Sequence, residues 1–310
     1  MRAGSGLVIV ALLIVSLPLF AANDDGSAIA VLDGGHTLIP IRAAAEWLGA
    51  EVGWEPQERT IIIESADRTV RLQPGSSTAS INGRSIVLDS APLTLAQITY
   101  VPARFVAEAF GTTVEFRQRS LTLKPPEGGD GMELRVAVLG DGWLTYRGPW
   151  FDIDYPVEFQ PLGYDSAPES DSYDADGMSF GTPSGAIEFY VYSPRRSGEP
   201  GWTKLAPGES LMGSESFTEG TGRNRRETSF TDVAGPADSY VRSWVEVRLP
   251  EQDINYVLGV RHDGMTTYDR WHEHYLRFRN MFVQYDAPEG LEGPPDSDDL
   301  IPRPRPFRRG

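Results

Sequence analysis

Four groups of residues have types and spacings that chemistry uses. His272-Glu273-His274 sets two imidazoles around a carboxylate and invites a metal reading. Asp171, Asp174 and Asp176 precede Gly177 in an acidic run at 165–177, the oxygen-rich composition of a calcium loop. Arg42 and Glu46, and again Arg104 and Glu108, stand four residues apart, which places opposite charges side by side on a helix.

Geometry thins this set. On a helix, positions i and i+2 lie roughly 200° apart around the axis, so His272 and His274 cannot share one ion; a zincin pair uses i, i+4. His36 and His262 complete the chain's four histidines, and nothing in the spacing brings them to the pair. If Gly177 is the sixth residue of an EF-hand loop, Ser172 is first and Pro183 is twelfth, where a glutamate is required, so that register fails. A looser calcium loop on Asp171, Asp174 and Asp176 stands against a plain solvated acidic loop. Gly181-Thr182-Pro183-Ser184-Gly185 is the stretch nearest to a G-x-S-x-G elbow, and Thr-Pro before the serine makes it a turn. No phosphate-binding glycine motif follows a strand. The expectation is no catalytic residue, no metal and no cofactor, with Arg42/Glu46 and Arg104/Glu108 as structural braces.

Composition narrows the partner. The net charge of −16 repels polyanions, so nucleic acid is not expected. The absence of cysteine removes disulfides, thiolate metal sites and cysteine nucleophiles. Arg2, the apolar run Leu7–Phe20 and Ala21-Ala22 before Asn23-Asp24-Asp25 have the order of a secretory signal peptide at 1–22. The rival is an uncleaved N-terminal anchor, for which the run is short and is broken by Pro18. Either way the chain is expected outside the cytoplasm, secreted or attached to the cell envelope.

The elements that position the paired charges repeat. Residues 37–54 and 99–116 share Thr, Pro, Arg, Ala, Glu, Gly and Val at a constant offset of 62. In each, a short strand reaches a proline, an apolar stripe of helical period follows (Ile41, Ala44, Ala45, Leu48; Ala103, Val106, Ala107, Phe110), and a glycine ends it. Trp54 and Phe116 follow at matched places, and Arg59–Ile63 and Arg119–Leu123 close each unit as strands. Asn82-Gly83 marks a type I′ hairpin between them.

The repeated P-x-R-x-x-x-E-x-x-G, with its trailing aromatic and R-[TS]-hydrophobic strand, resembles the copper amine oxidase N-terminal domain family of exported bacterial proteins. The resemblance implies an appended stalk module over 26–124 that positions or binds. It does not imply amine oxidation: the quinone-forming tyrosine needs N-Y-[DE], and here Asn255-Tyr256 is followed by Val257.

Lys124 and Pro125-Pro126-Glu127-Gly128-Gly129-Asp130-Gly131 have the composition of a linker (125–131) before a second domain at 132–287. Phe151-Asp152-Ile153-Asp154-Tyr155 alternates apolar and acidic residues, predicting one buried and one wet face. Residues 197–222 read as loop. Tyr268, Trp271, Tyr275, Phe278 and Phe282 form an aromatic stripe on a helix over about 267–282. This layout, with F-D-I-D-Y-P at 151–156 and the 176–185 stretch, resembles PsbP and Mog-type α/β/α sandwich domains. Residues 288–310, ending in Arg303, Arg305, Arg308 and Arg309, read as a disordered tail.

The fold class expected is α+β: a duplicated strand–helix–strand module followed by an antiparallel-sheet α/β sandwich. The function expected is a non-catalytic binding or scaffold protein that contacts a cell-wall or surface component, or a secreted or membrane protein. One rival is an extracellular polymer-acting hydrolase with a carboxylate site in the rear domain, calcium-assisted in one version. A second is an assembly factor for a membrane complex, which requires an exposed apolar patch.

Overall fold

The computed structural model describes residues 28–117, 120–148, 151–165, 177–193, 201–222, 225–250 and 254–284. The expected leader at 1–22 and tail at 288–310 lie outside these residues.

The front of the chain runs β1 (Ile29–Asp33), β2 (His36–Pro40), α1 (Ile41–Trp47), β3 (Glu51–Glu55), β4 (Thr60–Glu64), β5 (Thr69–Leu72), β6 (Thr78–Ile81) and β7 (Arg84–Val87). It continues β8 (Leu93–Leu95), β9 (Ile98–Pro102), α2 (Ala103–Phe110), β10 (Thr113–Arg117) and β11 (Ser120–Lys124). Pro40 and Pro102 stand at the helix entrances with φ of −66° and −53°. Gly111 ends α2 in the left-handed region at φ 70°. Asn82 and Gly83 both have positive φ, 50° and 78°, as a type I′ turn demands. An Arg68 guanidinium N–H donates to the Ala109 carbonyl, satisfying one acceptor at the end of α2.

The rear of the chain is β12 (Met132–Gly140), β13 (Trp143–Arg147), β14 (Phe151–Pro156), β15 (Gln160–Asp165), β16 (Gly177–Gly181) and β17 (Ile187–Tyr192). After a 3-10 turn at Gly201–Thr203 come β18 (Ser210–Glu219), β19 (Arg226–Ala234), a second 3-10 turn at Pro236–Asp238, β20 (Val241–Leu249), β21 (Ile254–His262), α3 (Met265–Asn280) and β22 (Val283–Gln284). The fold is strand-rich α+β, with three α-helices among the described residues.

Three sheets result. A ten-stranded sheet has the order β22-β14-β13-β12-β1-β2-β9-β8, with β11 on β12 and β10 on β11. A five-stranded meander is β3-β4-β5-β6-β7, and a seven-stranded antiparallel sheet is β15-β16-β17-β21-β20-β19-β18. The strands that follow the two front helices therefore part company: β3 and β4 belong to the meander, β10 and β11 to the large sheet.

The residues 125–131 do not separate two independent sheets. They connect β11 to β12, which pair antiparallel from Leu123–Met132 to Ser120–Arg135. On its other edge β12 pairs in parallel with β1, Ile29 to Arg135 through Leu32 to Val138. Proline and glycine give this segment linker composition, but here they turn a hairpin.

That pairing leaves β1 buried on both faces. Ala30 and Leu32 join one core with Ile39, Val101, Leu134, Val136 and the inner faces of α1 and α2. Ile29 and Val31 join another with Leu38, Tyr100, Ala137, Tyr146 and the aromatic stripe of α3. One sheet is thus the common wall of both cores. The same enclosure corrects the reading of β14: its acidic face is not wet, for Asp152 and Asp154 are 7% and 4% exposed.

Leu38, a front residue fully buried in the rear core, tests this wall. Leu38→Ala should cost about 2–5 kcal/mol and lower one melting transition shared by the whole described fold. Calorimetry showing two separate transitions, with only one of them moved, would contradict it.

Candidate functional site

The structure scatters the residues singled out from sequence. Arg42 and Glu46 meet at 3.4 Å on the exposed side of α1. Their counterparts do not repeat this contact, which corrects the expectation of twin braces. Arg104 lies 3.5 Å from Asp89, which also has His36 at 3.8 Å, while Glu108 is exposed. Alike in sequence, the two helices meet different loops. Asp171, Asp174 and Asp176 lie outside the described residues. No group of three or more His, Cys, Asp or Glu gathers for a metal among the described residues.

The histidines of α3 go to different neighbours. His274 stacks on Trp143 of β13, rings 5.4 Å apart and 23° from parallel. His272 lies against Tyr268, which in turn lies 4.9 Å from His262. His262 is buried at 4% exposure, with Nδ1 3.0 Å from the Gly264 carbonyl. Burial lowers its pKa below the ordinary 6.5, against the opposing pull of Gly264, Asp263 and Asp269.

One polar cluster ties α3 to the large sheet. Asp154 accepts hydrogen bonds from the Thr145 hydroxyl at 2.7 Å and from Arg277 at 3.3 Å. The Arg277 guanidinium lies 4.1 Å from the Trp143 ring centre, a cation–π contact. Trp143 is therefore held by two residues of α3, Arg277 and His274.

A second cluster, invisible in the sequence, straps the far face of the seven-stranded sheet. Trp202 lies flat on Tyr190, centroids 4.5 Å apart and planes 4° apart. Its indole N–H donates to Glu188 at 3.1 Å. Gly259 is what admits it: a Cβ there would come within 2.5 Å of the Trp202 ring. Arg242 lies against both Trp202 and Trp244, 5.0 and 5.1 Å from their ring centres. It bonds Glu209 at 2.5 Å, their side chains only 6% and 3% exposed. Glu209 also accepts from Tyr240 at 2.7 Å and from the Ala206 N–H at 2.7 Å. Burial raises the Glu209 pKa, but the bonds from Ala206, Tyr240 and Arg242 outweigh it and the net direction is down. The bond to Glu209 is also the chief reason that the Tyr240 hydroxyl is pushed up. With both carboxylate oxygens engaged by three donors, the cluster is a lock on chain geometry.

Two surfaces stay open. Trp54 on β3 and Phe116 on β10 are 43% and 42% exposed. Each stands opposite a buried aliphatic on the next strand, Trp54 opposite Ile61 and Phe116 opposite Leu121. The other is β18, in the stretch read as loop. All ten of its residues are exposed, Leu211, Met212 and Phe217 among them.

Residues 25–124 match the family model of the copper amine oxidase N-terminal domain. Among solved structures, the solution structure of cyanobacterial PsbP (CyanoP) from Synechocystis sp. PCC 6803 is similar. The identity is 10%, the TM-score 0.30, and the match covers 47% of this chain and 95% of that one. No curated protein matches. No helix among the described residues is long and apolar enough to cross a membrane.

The lock has a pH signature. The Glu209 carboxyl titrates below its ordinary 4.5 when folded, so its contribution is complete above that value and is lost as pH falls through the folded pKa. The depressed His262 acts in the same direction at higher pH: the unfolded chain takes up its proton first, and stability declines as pH drops below 6.5. Glu209→Gln leaves the Arg242 charge buried without its partner, a loss of about 3–5 kcal/mol near neutral pH. Melting temperatures across pH should show the wild-type advantage shrinking at low pH, and an advantage that does not vary with pH would remove the ion pair from the account.

Proposed function

We propose that the protein is a non-catalytic binding or scaffold protein of a bacterial cell envelope, exported by the leader at 1–22. The front region is a duplicated strand–helix–strand module that tethers to or recognises envelope material, and the rear region (132–287) binds a further partner. The observation that carries the reading is the matched exposure of Trp54 and Phe116. They recur at the offset of 62 and hold the same register opposite a buried aliphatic. Both leave more than two-fifths of the residue in solvent. A shape-preserving repeat needs only an apolar residue there. An exposed ring at both places adds a flat apolar face of the kind that stacks on a sugar ring or settles on an interface.

A second reading, an assembly factor for a membrane complex, is favoured by the exposed Leu211, Met212 and Phe217 of β18. It places the partner on the rear region and assigns Trp54 and Phe116 no role.

Sedimentation with purified cell wall separates the two. The mature protein should pellet with wall, and Trp54→Ala with Phe116→Ala should weaken retention by about tenfold, 1.4 kcal/mol, at unchanged melting temperature. Wild-type protein left entirely in the supernatant would end the tether reading, and retention indifferent to both rings would detach it from these residues.

A further inference from the structure

Among the described residues the sheet ends other than β18 are short. The seven-stranded sheet ends at β15, with 6 residues; the meander at β3 and β7, with 5 and 4; the large sheet at β22, β8 and β10, with 2, 3 and 5. The remaining end is β18, with 10 residues. It pairs with β19 alone, so its outer row of backbone N–H and C=O groups has no strand partner among the described residues. Natural edges of this length are blunted by proline, lysine or a bulge. S-L-M-G-S-E-S-F-T-E has neither proline nor lysine. Its one irregularity lies at Leu211/Gly213, which leaves Gly213–Glu219 regular.

The pleat gives this edge a definite face. Gly213, Glu215 and Phe217 share it with their register partners Asp232, Phe230 and Thr228 on β19. Phe217 and Phe230 stack there, centroids 6.0 Å apart, and remain 46% and 40% exposed. Glu215, directly opposite Phe230, and Asp232, opposite Gly213, are both exposed beside the pair. Glu219 has Arg226 opposite it and adds no comparable charge. A free edge with an apolar pair flanked by two carboxylates specifies its complement.

We propose that β18 is a strand-addition site for an extended segment of another protein that carries an apolar residue and a lysine or arginine two positions apart. Main-chain pairing along Gly213–Glu219 supplies the attachment. The apolar side chain rests on Phe217 and the basic one faces Glu215, two residues away on the same face. A second copy of this chain fits less well, since its edge would bring another Glu215 and a further charge of −16. The proposal goes beyond envelope tethering and stands apart from it, because wall retention reads Trp54 and Phe116 and the strand site reads Glu215 and Phe217.

The test uses the full mature chain and a fluorescent peptide T-K-T-F-T-K-T, read by anisotropy and by amide hydrogen exchange. The peptide should bind, slow exchange within β18, and weaken with salt. Three changes should each cost at least about tenfold in affinity: glutamate for both lysines of the peptide, proline for its threonines, or Phe217→Ala in the protein. Glu215→Lys should reverse the preference between the lysine and glutamate peptides. Because both residues are exposed, the variants should melt with wild type, and a shared melting temperature separates lost binding from lost folding. No binding, equal binding of the two peptides, or indifference to Phe217→Ala would overturn the proposal. So would sedimentation showing a dimer whose β18 amides are already protected, which would make a second copy the occupant.

Discussion

The parallel pairing of β1 with β12 is the contact on which the remaining architecture depends. Residues 29–32 reach across to 135–138 and sit there with both faces covered. A strand in this position is held by two cores at once: Ala30 and Leu32 answer to one, Ile29 and Val31 to the other. Its sequence, I-A-V-L-D, is the continuous apolar run that parallel, doubly covered strands have. A contact between partners about a hundred residues apart carries a larger ordering cost than a local hairpin does. Folding of the meander β3–β7 needs no such closure, since its strands pair with sequence neighbours.

The rear of the molecule uses a different device on each face of its sheet. On the core side, aromatic rings are buried against α3, and the Tyr275 hydroxyl donates to the Leu258 carbonyl. On the far side an irregular segment must be kept in one register. Apolar burial specifies that poorly, because a strap with one indole can slide. The Arg242–Glu209 pair, flanked by two indoles and completed by Tyr240 and the Ala206 N–H, joins four groups in one geometry, although the Arg242 Nε stays buried without a hydrogen-bond partner among the described residues. A buried ion pair of this kind contributes little net stability compared with an apolar replacement, and its value here lies in excluding alternatives.

Much of the front was legible because its signals are local. A proline opening a helix, a glycine closing it and Asn-Gly turning a hairpin act through φ alone, and the repeat made each count twice. The hairpin at 125–131 was not legible for the converse reason: Pro-Pro and Gly-Gly report flexibility of the connection, and nothing within it reports that the flanking strands pair. The misreading of β14 has the same root, since alternation of Asp with Phe and Ile predicts two environments but cannot see Thr145 and Arg277 arriving from elsewhere. The strap is legible only in retrospect, through a glycine inside a strand, Gly259, which sheets seldom hold unless another group approaches closely. And β18 left no pattern to find: exposed on both faces, it has no reason to alternate, so it reads as loop.

Shared walls constrain what the two open surfaces can do together. Were the halves joined by a tether at 125–131, ligands on each would sample a wide range of separations, and the gain from holding both would be diluted by the volume searched. With one sheet common to both cores, Trp54 and Phe116 on the front and the β18 edge on the rear stand at separations set by packed strands. A partner held at one is presented to whatever is held at the other at a fixed spacing. That favours an arrangement of matching geometry and penalises any other, which is the property of a scaffold. The doubly buried β1 is therefore what holds the two open surfaces in place relative to each other.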